Sequence, residues 1–261
     1  MGIETNELNE LMMFAVEIAR GAGDVTLNYF RKKPETSKKA DGSFVTIADR
    51  EAEEYLRSRI LETFPNDSVL GEEEGESVGS SNRRWIVDPI DGTFAFVHGV
   101  PIYGVLIGVE IDGKPTVGVI NMAAMNEIVW AATGLGCYLN GAPVRVSTTA
   151  SLEDGLLLCT DFTACHRYGF GSAIEDLQRR AKSSRTWGDC YGHALVATGR
   201  AEAMFDASMS IWDAAALKPI IEEAGGVFTD WSGQPTHNGG SAVSTNAALA
   251  REIRSLLQEP E

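Results

Sequence analysis

The sequence predicts an α+β chain whose first half carries a mainly antiparallel sheet and whose second half alternates strands with helices. In the first half, residues 11–30 and 46–64 show the apolar spacing of helices and precede a series of apolar strands. From residue 155 onward strands and helices alternate, which is typical of α/β architecture. We therefore predict two tightly packed halves, residues 1–148 and 149–261.

The first-half elements follow from periodicity and from stop signals. The helix between Leu11 and Phe30 ends where proline, glycine and polar residues accumulate. The second helix begins near Thr46, with acidic residues early and arginines later, as the helix dipole prefers. The polar segment 72–84 is predicted to be either a mobile flap or a solvated loop. "WIVD", residues 85–88, is predicted to be a short buried strand.

The remaining elements are predicted in the same way. "YGVLIGVEIDGKPTVGVINM" indicates two strands joined at "DGK", and "EIVWAATGLGCYLNG" indicates another pair. Pro219 lies inside a helical pattern and should bend or shorten that helix. The predicted second-half elements are strand 155–159, helix 171–181, helix 191–198, strand 201–207, helix 213–226, strand 227–233 and a terminal helix from Asn246.

Composition narrows the classes of function. The 261 residues include 37 acidic and 22 basic ones, a formal net charge of −15, so general affinity for nucleic acid or anionic membranes is not expected. An anionic substrate would need help from bound cations. No stretch resembles a signal peptide or a membrane span, and we expect a cytoplasmic protein. Reduced thiols are expected for its four cysteines, Cys137, Cys159, Cys165 and Cys190.

Carboxylates occur at the ends of several predicted elements. In "WIVDPIDGTFAF", Asp88 and Asp91 directly follow an apolar strand; Asp88 alone could be a helix N-cap before Pro89. "GEEEG" follows another apolar strand, and Asp213 lies at a strand-to-helix junction. Carboxylates in one cleft raise each other's pKa unless cations neutralise them, and hard oxygen ligands suit Mg²⁺ or Mn²⁺ rather than zinc. The pattern predicts that Asp88 and Asp91 face one metal ion or bridge two.

Other charged or polar groups allow several interpretations. Gly92 and Thr93 follow the aspartates at a predicted helix start, where free N–H groups favour an anion, so a phosphate site is predicted beside the metal. Lys38 and Lys39 either attract phosphate from outside the metal shell or form a solvated basic turn. Ordinary surface or core roles are predicted for the four histidines, which lack metal-ligand spacing: His98, His166, His193 and His237.

Four motifs together resemble the inositol-monophosphatase superfamily of metal-dependent, lithium-sensitive phosphatases. In chain order they are "FVTIAD", "GEEEG", "WIVDPIDGTFAF" and "WDAAALKPIIEEAGG". The resemblance covers nearly the whole chain and implies a layered αβαβα sandwich with mixed and antiparallel sheets. It also implies two or three Mg²⁺ ions, for which Mn²⁺ can substitute, and a homodimer.

The resemblance also implies roles for individual residues. The implied ligands are Glu72, Asp88 and the backbone carbonyl of Ile90 for the first metal, and Asp88, Asp91 and Asp213 for the second, with Glu73 in the same acidic shell. Asp49 would pair with the hydroxyl of Thr93, and Glu72 or this pair would orient the attacking water. A plain helix-cap role is the alternative for Asp49 and Thr93.

The segment from Arg185 to Gly233 is most similar to bacterial histidinol-phosphate phosphatases, and it has Gly-Asp-Cys where inositol-selective relatives commonly have Gly-Thr-Ala. Histidinol phosphate carries an ammonium group and an imidazole, so Asp189 and Asp206 could pair with the cation and Trp187 could pack on the ring. Alternatively, Trp187 is core and Asp189 caps the next helix. The predicted substrate contacts are Gly92, Thr93, Trp187, Gly188, Asp189, Asp206 and Asp213.

These observations predict Mg²⁺-dependent hydrolysis of a small phosphate monoester by activated water and in-line displacement. L-Histidinol phosphate is the favoured substrate and inositol monophosphate the runner-up. A sugar bisphosphate or 3′-phosphoadenosine phosphate is a third alternative within the same chemistry. A different class of function is a non-catalytic metal- or phosphate-binding regulator, against which the retained Thr93 argues.

Overall fold

The structure is a computed structural model that describes residues 4–39 and 42–257. The helices of these residues are α1 (Thr5–Leu27), α2 (Ile47–Thr63), α3 (Thr93–Val97), α4 (Phe162–Arg167), α5 (Gly171–Arg180), α6 (Asp189–Ala197), α7 (Ile211–Ala214), α8 (Leu217–Glu223) and α9 (Ala250–Leu257). The strands are β1 (Thr36–Lys38), β2 (Phe44–Thr46), β3 (Ser68–Gly71), β4 (Gly75–Ser77), β5 (Arg83–Asp91), β6 (Gly104–Ile111), β7 (Lys114–Met122), β8 (Glu127–Ala132), β9 (Gly136–Leu139), β10 (Ala142–Val144), β11 (Leu156–Cys159), β12 (Ser183–Arg185), β13 (Ala203–Asp206), β14 (Val227–Thr229) and β15 (Ala242–Thr245).

The first half of the chain forms an eight-stranded sheet in the order β10-β9-β8-β7-β6-β5-β3-β4. Its neighbouring strands are antiparallel except for the parallel pair β3 and β5. The predicted turn between β6 and β7 is present at Asp112 and Gly113, which both have positive φ, as a two-residue hairpin turn requires. Helices α1 and α2 cover one face of this sheet and bury their apolar residues against Trp85 and its neighbours.

The second half forms a five-stranded sheet in the order β12-β11-β13-β15-β14. Strand β11 is parallel to β12 and β13, whereas β15 is antiparallel to both of its neighbours. Helices α6 and α8 lie between the two sheets, since Ala194 and Ile220 share a core with Leu106 and Met204. A Cβ on Gly118 of β7 would lie 2.1 Å from the Ala216 carbonyl oxygen, so glycine permits this close packing.

Helices α5 and α9 cover the outer face of the second sheet, where Leu177 and Ile253 pack against Phe205 and Trp231. The layers are therefore helices, sheet, helices, sheet and helices. This arrangement confirms the predicted layered fold with mixed and antiparallel sheets. The division at residues 148 and 149 stays a prediction, although each sheet lies on its own side of it.

Several local predictions were wrong for identifiable reasons. Strand β5 continues to Asp91, and the N-cap of α3 is Gly92, so Asp88 is not a helix cap. Segment 72–84 is not a plain loop, because β4 within it pairs with β3, and its role as a flap stays a prediction. Five of the six strands that the periodicity missed have only three residues, too few to show a pattern. The missed strands are β1, β2, β4, β10, β12 and β15.

Pro219 has the predicted effect on its helix. The expected single helix is divided into α7 and the short α8, with the break at Ala215 and Ala216. Pro219 has no backbone N–H to donate to the preceding turn, and its ring crowds the carbonyl four residues earlier. None of the helices in the described residues combines the length and apolar character needed to cross a membrane.

Candidate active site

Three carboxylates converge where β5 ends and α7 begins. Asp88, Asp91 and Asp213 each offer one oxygen, and these oxygens all lie within 4.8 Å of one another. We call these three residues the acidic cluster. Asp88 and Asp91 would face opposite sides of a regular strand, but the pairing of β5 with β6 shifts register between them. The irregularity lets both side chains reach the same cluster.

The carboxyl groups of the acidic cluster have raised pKa values. Burial, followed by the charge of Glu72, raises the pKa of Asp88 well above its usual range. Burial and the charges of Asp189 and Asp213 do the same for Asp91. Burial also raises the pKa of Asp213 to about 7. Each of the three carboxylates accepts one backbone N–H, yet their pKa values remain raised. Since all three donors are hard carboxylate oxygens, the cluster suits a divalent cation.

Glu72 and Glu73 follow β3 and adjoin the acidic cluster without belonging to the close group of oxygens. Lys39 Nζ lies 2.7 Å from Glu72 Oε1 and 2.6 Å from Glu73 Oε1. Lys39 is therefore not part of a solvated basic turn, and it faces carboxylates. Lys38 instead lies over the ring of Phe44, 5.6 Å from its centroid. A metal-ligand role for Glu72 and Glu73 stays a prediction.

Residues 72–74, which we call the glutamate turn, are held by a buried ion pair that the sequence analysis missed. Glu53 is fully buried and accepts hydrogen bonds from the backbone N–H groups of Glu73 at 2.8 Å and Glu74 at 3.0 Å. Arg57 Nε donates to Glu53 Oε1 at 2.8 Å, and Arg57 also donates to the Gly75 carbonyl. The sequence does contain a signal for this ion pair, because Glu53 and Arg57 have the i,i+4 spacing of a helical ion pair just after Asp49.

Asp49 combines the two roles that the sequence left as alternatives. Its Oδ2 accepts hydrogen bonds at 2.7 Å from both the backbone N–H and the hydroxyl of Thr46, as in a capping box at the start of α2. Its Oδ1 lies 3.4 Å from Thr93 Oγ1. Thr93 Oγ1 in turn donates to the Ile90 carbonyl at 2.9 Å. Burial raises the pKa of Asp49 to about 6.

Gly92 connects the acidic cluster to a neighbouring cavity. It is the N-cap of α3 and has a φ of 81°, a conformation that favours glycine. A Cβ at this position would lie 3.0 Å from Asp189 Oδ2. Glycine therefore allows the Asp189 carboxylate to lie directly beside the start of α3. The cavity has a volume of about 440 Å³ and is lined by Asp189, Phe94, His98, Val100, Ile102 and Thr160, among others.

Asp189 has an unusual backbone and a strongly perturbed carboxyl. It is the first residue of α6, whose N-cap is Gly188 without a side-chain hydrogen bond, so Asp189 does not cap that helix. Its φ of 53° is uncommon for a residue other than glycine. Its backbone N–H donates to Thr160 Oγ1 at 2.8 Å. Burial, followed by the charges of Asp206 and Asp213, raises its pKa to about 7.

Asp206 and Trp187, two other predicted substrate contacts, have different surroundings from Asp189. Asp206 is 7% exposed, and its Oδ2 lies 3.0 Å from His193 Nε2, while His193 Nδ1 lies 2.7 Å from Ser244 Oγ. Trp187 is 45% exposed, so it is not a core residue. Among the described residues, neither Asp206 nor Trp187 lines the cavity beside Asp189. Direct substrate contact by these two stays a prediction.

Comparisons with known proteins agree with this geometry. The family model described as the inositol monophosphatase family matches residues 7–259. A histidinol-phosphatase of Chlorobaculum parvum is 44% identical over 93% of this chain and 94% of its own length. A histidinol-phosphatase of Mycobacterium tuberculosis is 37% identical over 94% of this chain and 97% of its own.

A solved inositol monophosphatase structure from Anabaena (Nostoc) sp. PCC 7120 aligns with a TM-score of 0.85 at 30% identity, covering 97% of each chain. The family match extends over nearly all of the sequence, and the structural match includes both sheets. The chain therefore belongs to the inositol monophosphatase family of phosphatases.

Proposed function

We propose that this phosphatase hydrolyses L-histidinol phosphate in a Mg²⁺-dependent reaction. The observation that carries the substrate proposal is the Asp189 carboxylate, which lies in a cavity directly beside Gly92 and the acidic cluster. A phosphate bound near the acidic cluster would place the rest of a small substrate in this cavity. Asp189 would then face the substrate's ammonium group.

The residues at the cluster fit the metal ions that the family implies. Asp88, Asp91 and Asp213 supply converging oxygens, and Glu72 and the Ile90 carbonyl would complete the ligand set, with Glu73 close by. Bound Mg²⁺ would supply charge neutralisation of the phosphate and a lowered pKa for water. Lys39 contacts Glu72 through Oε1 only, so Glu72 could bind a metal ion through Oε2 or release Lys39 on becoming a ligand.

Thr93 and Asp49 are positioned to handle a proton. The Thr93 hydroxyl has a single hydrogen, which it can give to the Ile90 carbonyl or to Asp49. When it points to Asp49, its oxygen is free to accept a hydrogen bond from the attacking water. With a pKa of about 6, Asp49 is mostly ionised at neutral pH and can accept the proton.

Asp189 supports a cationic substrate rather than a neutral one. Its pKa of about 7 shows that its buried charge lacks compensation, and a substrate ammonium would supply it. An inositol ring offers hydroxyl groups but no countercharge, which would leave a buried carboxylate unpaired. Phe94, Val100 and Ile102 add an apolar wall that suits the face of an imidazole ring.

Relatives also favour histidinol phosphate. The two histidinol-phosphatases are 44% and 37% identical to this chain, whereas the solved inositol monophosphatase is 30% identical. We accordingly propose a role in histidine biosynthesis in the cytoplasm, and a homodimer as the assembly. The role in histidine biosynthesis rests on the names of these relatives, whereas the location and the homodimer rest on the sequence and on the family resemblance.

A substrate panel tests the proposal. Phosphate release with Mg²⁺ is measured from L-histidinol phosphate, myo-inositol 1-phosphate, fructose 1,6-bisphosphate and 3′-phosphoadenosine 5′-phosphate and compared as kcat/KM. We expect preference for histidinol phosphate by about 10³-fold or more, because the other three leave Asp189 unpaired. Comparable values for histidinol phosphate and inositol phosphate would overturn the substrate assignment and leave the metal chemistry intact.

Inositol monophosphate remains the second candidate because the whole chain matches the inositol monophosphatase family and a solved inositol monophosphatase shares its fold. A non-catalytic regulator is disfavoured by the Asp49 and Thr93 pair, since a binding module needs no group to orient water. Failure of all four substrates to release phosphate with either Mg²⁺ or Mn²⁺ would favour the regulator.

A further inference from the structure

Two buried cysteines outside the acidic cluster lie unusually close to each other. Cys159 Sγ and Cys165 Sγ are 3.4 Å apart. Both side chains are at most 1% exposed, and both belong to the core of the second sheet. Cys159 is the last residue of β11 and Cys165 lies in α4, so only five residues separate them. The proposed hydrolysis uses neither thiol.

The cover over this thiol pair is thin. Helix α4 has six residues, and Cys165 is its one buried residue. Asp161, Thr163 and the segment 166–169 are exposed on the outer side of the helix. Besides Cys165, only Phe162 of this helix packs against the core of the second sheet, so local opening of α4 should cost much less free energy than global unfolding. We expect a small solute to reach the sulfur atoms through such opening.

The two thiols also differ in how readily they lose a proton. The Cys159 thiol can donate its proton to Cys165 Sγ, and this hydrogen bond lowers the pKa of Cys165. The thiolate is the form of cysteine that reacts with peroxides. In redox-sensing cysteine pairs, one cysteine reacts with the oxidant and a second, resolving cysteine at contact distance closes the disulfide. Cys165 and Cys159 have this arrangement.

We propose that Cys159 and Cys165 form a reversible disulfide when the protein meets hydrogen peroxide, which makes them an oxidation site of this phosphatase. The Cys165 thiolate attacks one peroxide oxygen, giving a sulfenic acid and releasing hydroxide. The Cys159 sulfur then attacks the Cys165 sulfur and releases water. In total, two thiols lose two electrons and two protons, and one hydrogen peroxide becomes two waters.

Closure of this disulfide must move the substrate cavity. The sulfur atoms have to approach from 3.4 Å to about 2.05 Å. Thr160 and Asp161 lie between the two cysteines in sequence and line the cavity beside Asp189. Thr160 Oγ1 accepts the Asp189 backbone N–H, and a Cβ on Gly188 would lie 2.5 Å from Thr160 Cα. A shift of Thr160 therefore displaces Asp189. The next residue, Cys190, donates its backbone N–H to Asp91 Oδ2 at 2.5 Å, so the shift also reaches the edge of the acidic cluster.

Mass spectrometry of the full chain tests disulfide formation independently of any substrate. After treatment with hydrogen peroxide we expect the loss of two hydrogens, a crosslink between peptides containing Cys159 and Cys165, and reversal by dithiothreitol. Cys159→Ser and Cys165→Ser should each abolish the crosslink, while Cys137→Ser, which alters another buried thiol, should keep it. Addition of oxygen atoms without a crosslink, or a crosslink that persists in Cys159→Ser, would overturn the proposal.

The functional consequence is measured separately and rests on the proposed function. We expect the oxidised wild type to lose about 10- to 100-fold in kcat/KM for L-histidinol phosphate, because a displacement of about 1 Å can cost that much. The peroxide-treated Cys159→Ser variant should lose less than about twofold. An oxidised wild type with unchanged kcat/KM would overturn the connection to the cavity. If no substrate is hydrolysed before oxidation, the proposed function fails while the crosslink result still stands.

Discussion

The glutamate turn and the Asp189 turn, residues 188–190, both bring carboxylates to the site, but different kinds of group hold them. The buried Glu53 accepts two backbone N–H groups of the glutamate turn, and Arg57 fixes Glu53 and the chain beyond it. The Asp189 turn is held by neutral groups and by the cluster itself: the Asp189 N–H donates to Thr160 Oγ1, and the Cys190 N–H donates to Asp91 Oδ2 at 2.5 Å. It also places a non-glycine residue at positive φ.

The carboxylates proposed to bind metal and the carboxylate proposed to select the substrate therefore lie on different elements. The carboxylates that would hold metal lie on well-supported elements, since Asp88 and Asp91 end a central strand and the glutamate turn is held by a buried ion pair. Asp189 lies on a turn of the second half and is not one of the three carboxylates of the acidic cluster. A change that removes only the Asp189 charge and keeps the backbone should therefore alter which substrate is accepted without removing the metal site.

The largest effect is expected from Asp213→Asn. Loss of one charged oxygen from the acidic cluster should weaken metal binding and lower kcat/KM by about 10³-fold or more. Mg²⁺-dependent phosphate release and calorimetric Mg²⁺ titration measure the two effects. Asp112→Asn is the matched control, because Asp112 is an exposed aspartate of the β6–β7 turn, where asparagine tolerates the positive φ. Full activity of Asp213→Asn would refute the assignment of the cluster.

The next effect is expected from Glu53→Gln. An amide nitrogen cannot accept the second N–H of the glutamate turn, so the turn loses part of its support. We expect Mg²⁺ affinity to fall about 10- to 100-fold, as for other groups that orient metal ligands. Glu54→Gln, an exposed neighbour on α2, should leave the affinity unchanged. Equal Mg²⁺ affinities in the Glu53→Gln variant and the wild type would show that this ion pair does not support the metal site.

A selective effect is expected from Asp189→Asn. Asparagine tolerates the positive φ but removes the charge. We expect kcat/KM for L-histidinol phosphate to fall about 10- to 100-fold and the value for β-glycerophosphate, which lacks a cation, to change less than about threefold. Parallel losses on both substrates would mean that Asp189 serves the metal site, and the proposed contrast between the two turns would be wrong.

The smallest effect concerns stability and pH. Burial raises the pKa of Asp189 and Asp213 to about 7, whereas carboxyl groups of an unfolded chain titrate near about 4. The native state then retains protons that the unfolded state has released, so the free energy of unfolding of metal-free protein falls as pH rises from about 4 to about 7.

We therefore expect the Tm measured in EDTA to be about 5 °C lower at pH 8 than at pH 5.5. Saturating Mg²⁺ should remove most of this difference, because the cation stabilises the ionised carboxylates. A Tm in EDTA that rises between pH 5.5 and pH 8 would contradict the raised pKa values.

The acidic cluster could be predicted from sequence because each ligand stands beside a strong local signal. Asp88 and Asp91 follow an apolar strand, and Asp213 opens a helix after one. The layered fold followed from periodicity and from the family resemblance. Sequence could not show that Asp88 and Asp91 face the same side, because a strand irregularity that depends on pairing with β6 decides it.

The residues that support the site, such as Glu53 and Thr160, could not be predicted from local sequence patterns, for a different reason. Glu53 contacts residues 20 positions away, and Thr160 contacts a residue 29 positions away. Such pairs depend on how helices and sheets are placed, which one sequence does not reveal. Lys39 shows the same limit, since a lysine in a polar segment gives no sign that it faces two glutamates.

The most direct test of the account is a crystal structure with Mn²⁺ and L-histidinol, in which anomalous scattering locates the metal. We predict Mn²⁺ bound by Asp88, Asp91 and Asp213, with an oxygen of Glu72 completing the ligand set. The ammonium of histidinol should lie about 3 Å from the Asp189 carboxylate. Manganese outside the acidic cluster, or histidinol bound away from Asp189, would contradict the account.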